Sequence, residues 1–443
     1  MTLTLEQLQA KVASQKTALP ALYAAVDFEA TPERFNDDPV PLDAEGKAAA
    51  ERARMLADPE KVARMRAYSM LGDVVADAYA ALMPQHGFRN LIGMLTRACD
   101  QGLGAVPEAP PELVAFIRDM EHVPDWVDMK LVEEGARLDR NATANVAPFL
   151  IRGAFIATFM NKYAALPMAL TGTLSNETSA KRVKETATFF ATTVLPGALE
   201  RHGPGFRAAA MVRLMHSMVR FNALRSKAWD KSTFGIPIPQ VDQMPAGLIP
   251  IFVLSYALIA KGKTEFTPEQ RAKVELARYR CYLLGLPEEL LPDTPQGIVD
   301  VMNLRDQTLR KGFDDRTCGV LLRATLDAYL PKTDNLPNRV FNTIERGFSK
   351  VFFVRTFLKG DQARARSMGV VLTPADKLFF LGSAIFVGLR AKAYALAMRT
   401  PGLRDVADRI LVRKIHRLLA DYGHAEFTTD AAAYKPADLA KAA

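Results

Sequence analysis

The residues best suited to chemistry lie in the run Ala210-Met-Val-Arg-Leu-Met-His-Ser-Met-Val-Arg220. Arg213, His216 and Arg220 stand at i, i+3 and i+7, which is one stripe of a helix. The residues between them are mostly apolar, so this helix should be largely buried, and buried charges are costly without partners. A haem would meet both needs. Imidazole ligates iron, and guanidinium groups pair with propionates or oxygen-derived anions. The same spacing also suits a solvated stripe on an otherwise buried helix, with His216 a bystander.

The other five histidines are less well placed. His86 and His202 sit in Gly/Pro turns, poor supports for a rigid ligand. His122 precedes Pro124, His416 lies between Lys414 and Arg417, and His424 follows Gly423. No pair has HxxxH spacing, and no ExxH pair of the di-iron type exists. A multi-histidine metal site is therefore disfavoured, while a single-histidine site is not. In a second constellation, Arg182, Glu185, Thr186 and Phe189 share a helical stripe. They would make a polar wall over an iron-bound ligand, or a surface helix with an Arg182–Glu185 pair worth about 0.2–0.5 kcal/mol. Trp229-Asp230 and Gly235 to Met244 read either as a gate over a cavity or as a packed loop. GxSxG, P-loop and GxGxxG motifs are absent, and Cys281 and Cys318 have no histidine nearby in sequence, so a nucleophilic hydrolase is unsupported.

The elements that must position these groups read as helices throughout. Alternating strands and Asn-Gly or Asp-Gly hairpin signals are missing. Residues 20–43 look irregular. Helices are expected over 44–57, 64–82, 88–103, 110–119, 125–139 (capped by Asp125) and 146–163. After a break at Pro167 and Gly172, a helix opens at Ser175 and runs towards Pro196, and the His216 helix ends near Ser226. Two prolines forbid helix in Gly235-Ile-Pro-Ile-Pro-Gln240. Helices resume over 246–260, 268–285, 296–312, 315–330, 336–352, 374–398 and 403–421, and the tail after Thr428 should fray. No internal repeat is present, which argues against a solenoid. The reading is one all-α domain with peripheral helices at both ends. It has an N-terminal extension over 1–44, a core over 45–330, and C-terminal helices packed on that core over 331–443.

With 443 residues, 49% of them hydrophobic, a large core is available. The net charge of +8 is modest for this length, and no basic block with interleaved aromatics suggests nucleic acid. Cys99, Cys281 and Cys318 are far apart and odd in number, so they read as reduced thiols. The N-terminus lacks a basic start with an apolar run and lacks a twin-arginine signal. The expected location is cytoplasmic. The apolar runs 246–260 (broken by Pro250) and 379–389 fall short of the ~20 residues that span a bilayer. Both suit core helices. The second, followed by Arg390, Lys392 and Arg399, would also suit peripheral contact with a membrane.

Several segments together resemble the latex clearing proteins (rubber oxygenases) and MpaB-type oxygenases, over roughly residues 70–300. They are Gly72-Asp-Val-Val-Ala-Asp77, Thr171-Gly-Thr-Leu174, Arg182-Val-Lys-Glu-Thr186 and Val212-Arg-Leu-Met-His-Ser-Met-Val-Arg220. Gly235-Ile-Pro-Ile-Pro-Gln-Val-Asp242 and Tyr279-Arg-Cys-Tyr-Leu-Leu-Gly-Leu-Pro-Glu-Glu-Leu-Leu-Pro292 complete the set. The resemblance implies a globin-like helical core holding haem b, with His216 as the proximal iron ligand and Arg182 and Thr186 on the distal side. In rubber oxygenases a Lys precedes that Thr. Here Glu185 takes its place, with Lys184 one residue earlier, and an expected distal acid has no match near Leu166 and Pro167.

The resulting expectation is an oxidoreductase, a haem-dependent oxygenase using O2 on a hydrophobic, isoprenoid-like substrate. Arg182, Glu185 and Thr186 would be catalytic; His216, Arg213 and Arg220 would hold the cofactor. Helices 146–163 and 246–260 would line the substrate channel. The alternatives are a haem peroxidase or monooxygenase without C=C cleavage, and a non-catalytic haem-binding or helical interaction protein.

Overall fold

Helices follow one another through the whole of the described chain. The structure, a computed structural model, describes residues 3–39, 47–170 and 176–423. Thr171 to Leu174, His424 and the tail beyond Thr428 lie outside the described residues. The fold is all-α, and the extended backbone pairing among the described residues is one bridge between Phe35 and Leu309.

Local chemistry sets the helix starts. Thr267 accepts a hydrogen bond from the Gln270 N–H, and the Gln270 side chain accepts from the Thr267 N–H, so both unsatisfied donors are met at the start of Pro268–Leu283. Proline at the first position of Pro295–Thr308 and Pro374–Arg399 occupies a site whose N–H has no helical partner.

Four expectations are corrected. The amphipathic run 64–82 is two helices, Pro59–Tyr68 and Val74–Ala80. Asp73 caps the second by accepting from the Ala76 N–H, and Gln15 Oε1 takes the Gly72 N–H at 2.7 Å, so the backbone of the break is satisfied without helix. The helix expected from Asp125 starts at Met129, because Asp128 accepts from the N–H groups of Lys130 and Leu131 and takes the cap. The run 146–163 falls into Ala147–Ala157 and Lys162–Leu170, with Pro167 inside the latter. Finally, the run 379–389 lies in the expected helix, found as Pro374–Arg399, but it is not a core helix, because Val387 is the run's one buried residue. By length and composition this is the one helix among the described residues able to cross a membrane.

The chain divides into two units. The first comprises the described parts of Met1–Gly135 and Ala209–Lys311. In it Met244–Ile259 packs on Pro268–Leu283 and Pro295–Thr308, Val74–Ala80 packs on Pro111–Glu121, and Leu5–Ala18 packs on Pro59–Tyr68. Ala209, Leu214, Met218 and Phe221 of the helix Pro204–Arg225 belong to its buried core.

The second unit comprises the described parts of Ala136–Ala208 and Gly312–Ala437. Here Ala147–Ala157 and Pro374–Arg399 both pack on Leu336–Phe357, and Asn176–Thr192 packs on Val320–Asp327 and Arg404–Tyr422. A fully buried Arg152 joins these helices. It pairs with Glu345 at 2.8 Å and donates to the carbonyls of Thr325, Leu326 and Ala328. Removing one partner of such a pair costs about 3–5 kcal/mol. A Cβ on the adjacent Gly153 would come within 2.8 Å of the Ser349 carbonyl, so this crossing requires glycine.

Candidate active site

Between Ala209 and Phe221, Val212 and His216 alone are half-buried and the rest are buried. They lie one turn apart on the same side of the helix. The His216 ring is fixed by a hydrogen bond between Nδ1 and Gln243 Oε1 at 3.1 Å. Gln243 is oriented in turn, because its Nε2 donates to Gln240 Oε1 at 2.6 Å. That commitment leaves the Gln243 Oε1 as an acceptor, so His216 carries a proton on Nδ1, and the neutral ring would then have its lone pair on Nε2. This is the tautomer of a metal-ligating imidazole whose second nitrogen is held by the protein.

Arg213 and Arg220 meet carboxylates rather than water. Both are buried, so the solvated-stripe reading does not hold. Arg213 donates from Nε and Nη2 to the two oxygens of Asp73, the Nη2 bond at 2.9 Å, and from Nη1 to Asp119 at 2.6 Å. It also lies 5.2 Å above the Phe116 ring centroid. Arg220 pairs with Asp77 where neither side chain has any exposure, and Asp77 also accepts from the Tyr23 hydroxyl. The charge compensation assigned above to a cofactor is thus supplied by Gly72-Asp-Val-Val-Ala-Asp77. Burial works against the Asp73 carboxylate, but Arg213 more than offsets it and holds Asp73 below the usual range. Burial pushes Asp77 up, with Arg220 opposing and Asp73 reinforcing. Burial and then Asp77 drive Tyr23 well above an ordinary phenol.

Arg220 also shapes the proline-rich loop. Its Nε donates to the Pro237 carbonyl at 3.0 Å and its Nη2 to the Ile238 carbonyl at 2.7 Å. Ile238 has φ +48°, which a β-branched residue rarely adopts, and the flanking prolines and the two arginine bonds hold it there. Trp229 Nε1 donates to the Gly235 carbonyl at 2.9 Å, and the Gln240 N–H donates to the Leu71 carbonyl at 2.9 Å. Of the two readings of 235–244, the packed loop is the one observed. Its function is positional: it carries Gln240 and Gln243 to His216. Gly285 completes the arrangement. A Cβ there would lie 2.7 Å from an Asp73 oxygen and 2.9 Å from Arg213 Nε, at φ +88°.

The second constellation lies in the second unit, on the helix Asn176–Thr192. Arg182, Glu185 and Thr186 are all half-buried. Arg182 Nη1 points at Met168 Sδ, 3.1 Å away, and Glu185 lies 4.0 Å from Lys181, one turn back. Burial, followed by repulsion from Lys332, lowers the ammonium of Lys184.

No group of three His, Cys, Asp or Glu among the described residues could hold a bare metal ion. A metal at His216 would need further ligands of its own, which a porphyrin supplies, so the donor set fits haem. Burial raises Cys281 to about 12 and Cys318 to about 11, which leaves both thiols protonated near neutral pH. The missed functional residues are Gln240 and Gln243 in the proline-rich loop, which no motif or periodic pattern marks. Asp73 and Asp77 were noticed only as part of a motif.

Residues 140–389 match the profile described as "ER-bound oxygenase mpaB/B'/Rubber oxygenase, catalytic domain". The match starts later than the stretch 70–300 on which the resemblance was read and extends further. No curated protein matches the chain. Among solved structures, that of latex clearing protein in the closed state is similar in fold. It is 18% identical, has a TM-score of 0.54, and the alignment covers 80% of this chain and 91% of that one.

Proposed function

The chain belongs to the family of ER-bound oxygenase mpaB/B′ and rubber oxygenase catalytic domains, and on that premise we propose that it is a haem b-dependent oxygenase using O2 on a hydrophobic, isoprenoid-like substrate. Oxidative C=C cleavage is the reaction that the resemblance implies. The observation that carries the reading is the His216 imidazole with Nδ1 tied to Gln243, and Gln243 in turn to Gln240. When bound, haem would supply the oxygen chemistry.

The chain's own residues do the rest. His216 Nε2 offers the lone pair for iron. Gln243 accepts the Nδ1 proton and fixes the ring plane, and Gln240 fixes Gln243. Arg220 acts on the same group at one remove, through the backbone of the loop that carries both glutamines. Arg213 and Arg220 therefore serve as structural supports of the His216 helix in this account. Arg182, Glu185 and Thr186 are assigned to orienting oxygen and handling protons, with Glu185 as the proton-bearing group. A cytoplasmic location is part of the proposal, in line with three buried cysteines outside any disulfide.

The test is oxygen uptake by the haem-loaded protein with a short isoprenoid, alongside carbonyl analysis of the product. O2 consumption with matched carbonyl formation is expected. Turnover driven by peroxide, with no O2 uptake, would favour a peroxidase and overturn the oxygenase assignment.

A further inference from the structure

Helix Pro374–Arg399 leaves a long apolar ridge uncovered in the second unit. Leu378, Leu381, Ile385, Leu389 and Leu396 are each more than half exposed. Their 3-, 4-, 4- and 7-residue steps keep them on one line of the helix. Lys392 and Arg399 fall on the same line and are exposed at its C-terminal end. The opposite face is occupied. Phe380, Ala384 and Val387 pack on Phe149 and Phe348, Asp376 pairs with Lys350 at 3.2 Å, and Arg390 donates to the Asn145 carbonyl at 2.8 Å. A helix docked along one face on its own protein lies on a surface; it is not placed to cross a bilayer.

The next helix, Arg404–Tyr422, repeats the pattern. Leu403, Val406 and Ile410 are exposed at steps of three and four, and the same line continues into exposed Arg413 and Arg417. The two helices are joined through Met398, Ala407 and Leu411.

Charge identifies what covers this face. Residues 337–423 hold sixteen Lys and Arg against six Asp and Glu, a net +10, whereas the whole chain sums to +8. All of the excess positive charge therefore resides in this segment, and no acidic residue occurs between Asp376 and Asp405. A second copy of the chain would bring like charges together and set Lys392 into the apolar seam. A nucleic acid would leave the leucines in water. An apolar ridge rimmed by long basic side chains suits an interface with acyl chains below and anionic headgroups around it.

We propose that the exposed face of Pro374–Arg399 and Arg404–Tyr422 docks the protein in-plane on an anionic phospholipid surface. The proposal is independent of the oxygenase assignment and its test uses no turnover. The full-length protein is floated with vesicles of phosphatidylcholine alone, or of phosphatidylcholine with phosphatidylserine, at low and high salt. Binding only to the phosphatidylserine vesicles, weakened by salt, is expected. L381D/I385D/L389D should cut the bound fraction more than about tenfold with an unchanged circular dichroism spectrum. K392E/R399E should lose most of the phosphatidylserine dependence. Absence of flotation, equal salt-insensitive binding to neutral vesicles, or resistance to carbonate extraction (a spanning helix) would each overturn the proposal. So would a stable dimer in solution that L381D/I385D/L389D dissociates.

Discussion

His216 Nδ1 stands 3.1 Å from Gln243 Oε1, and the Gln243 amide nitrogen is already committed to Gln240 at 2.6 Å. This relay decides which imidazole nitrogen offers a lone pair. Gln243→Leu should therefore keep the fold but weaken haem retention by about 10–100-fold, the usual cost of losing the group that orients a metal-bound histidine. Haem transfer to an excess of acceptor apoprotein measures this. Gln243→Glu, which still accepts from Nδ1, should recover most of the retention.

Arg213 has two carboxylate partners in different surroundings. Asp73 is buried, whereas Asp119 is 44% exposed. Asp73→Asn should cost about 3–5 kcal/mol by leaving a buried guanidinium underpaired, while Asp119→Asn should cost no more than about 1 kcal/mol. Urea unfolding of the two variants separates these values. Equal losses would mean that Arg213 does not depend on Asp73.

The same pairs predict an acid limb. Burial disfavours the Asp242 carboxylate, but Arg34 and Arg305 offset this and hold it low, as Arg213 does for Asp73. A carboxylate with a depressed folded-state pKa contributes stability that is present above its unfolded value near ~4 and is lost as pH falls through the folded value. Asp77 is raised and has the opposite sign, its contribution fading as pH rises. Unfolding free energy should therefore fall steeply below about pH 4, and the slope should be shallower in Asp73→Asn. Unfolding curves over a pH series provide the check.

Arg182→Ala, Thr186→Ala and Glu185→Gln should all retain haem while slowing O2 consumption with an isoprenoid substrate. Glu185→Gln should be the slowest, by about 100-fold if Glu185 carries the proton. Haem occupancy measured beside oxygen uptake distinguishes loss of cofactor from loss of chemistry. Three variants as fast as wild type would remove the distal assignment.

Much of this was legible in the residues, and the part that was not has a physical reason. The His216 helix and the non-helical proline loop follow from 3.6-residue periodicity and from the missing donors of Pro237 and Pro239. The break at Ser69 to Gly72 was hidden, because Met70 and Leu71 carry the apolar pattern across it and its backbone is secured by residues far away in sequence, Gln15 at Met70 and Gly72 and Gln240 at Leu71. Likewise, spacing showed that Arg213 and Arg220 needed partners but not which ones. Those partners, Asp73 and Asp77, lie 140 and 143 residues away. Asp128 displaced Asp125 as a cap through a choice between two nearby carboxylates that periodicity does not resolve. Gln243 has no periodic signature and became visible only when the loop placed it against His216.

The central claim is that His216 holds a b-type haem. Pyridine haemochrome analysis of the protein expressed with ample haem supply, on wild type and on His216→Ala, tests it most directly. Wild type should hold one noncovalent haem b per chain and His216→Ala none, with His86→Ala, His202→Ala and His416→Ala retaining it. A wild-type protein without haem, or full retention by His216→Ala, would contradict it.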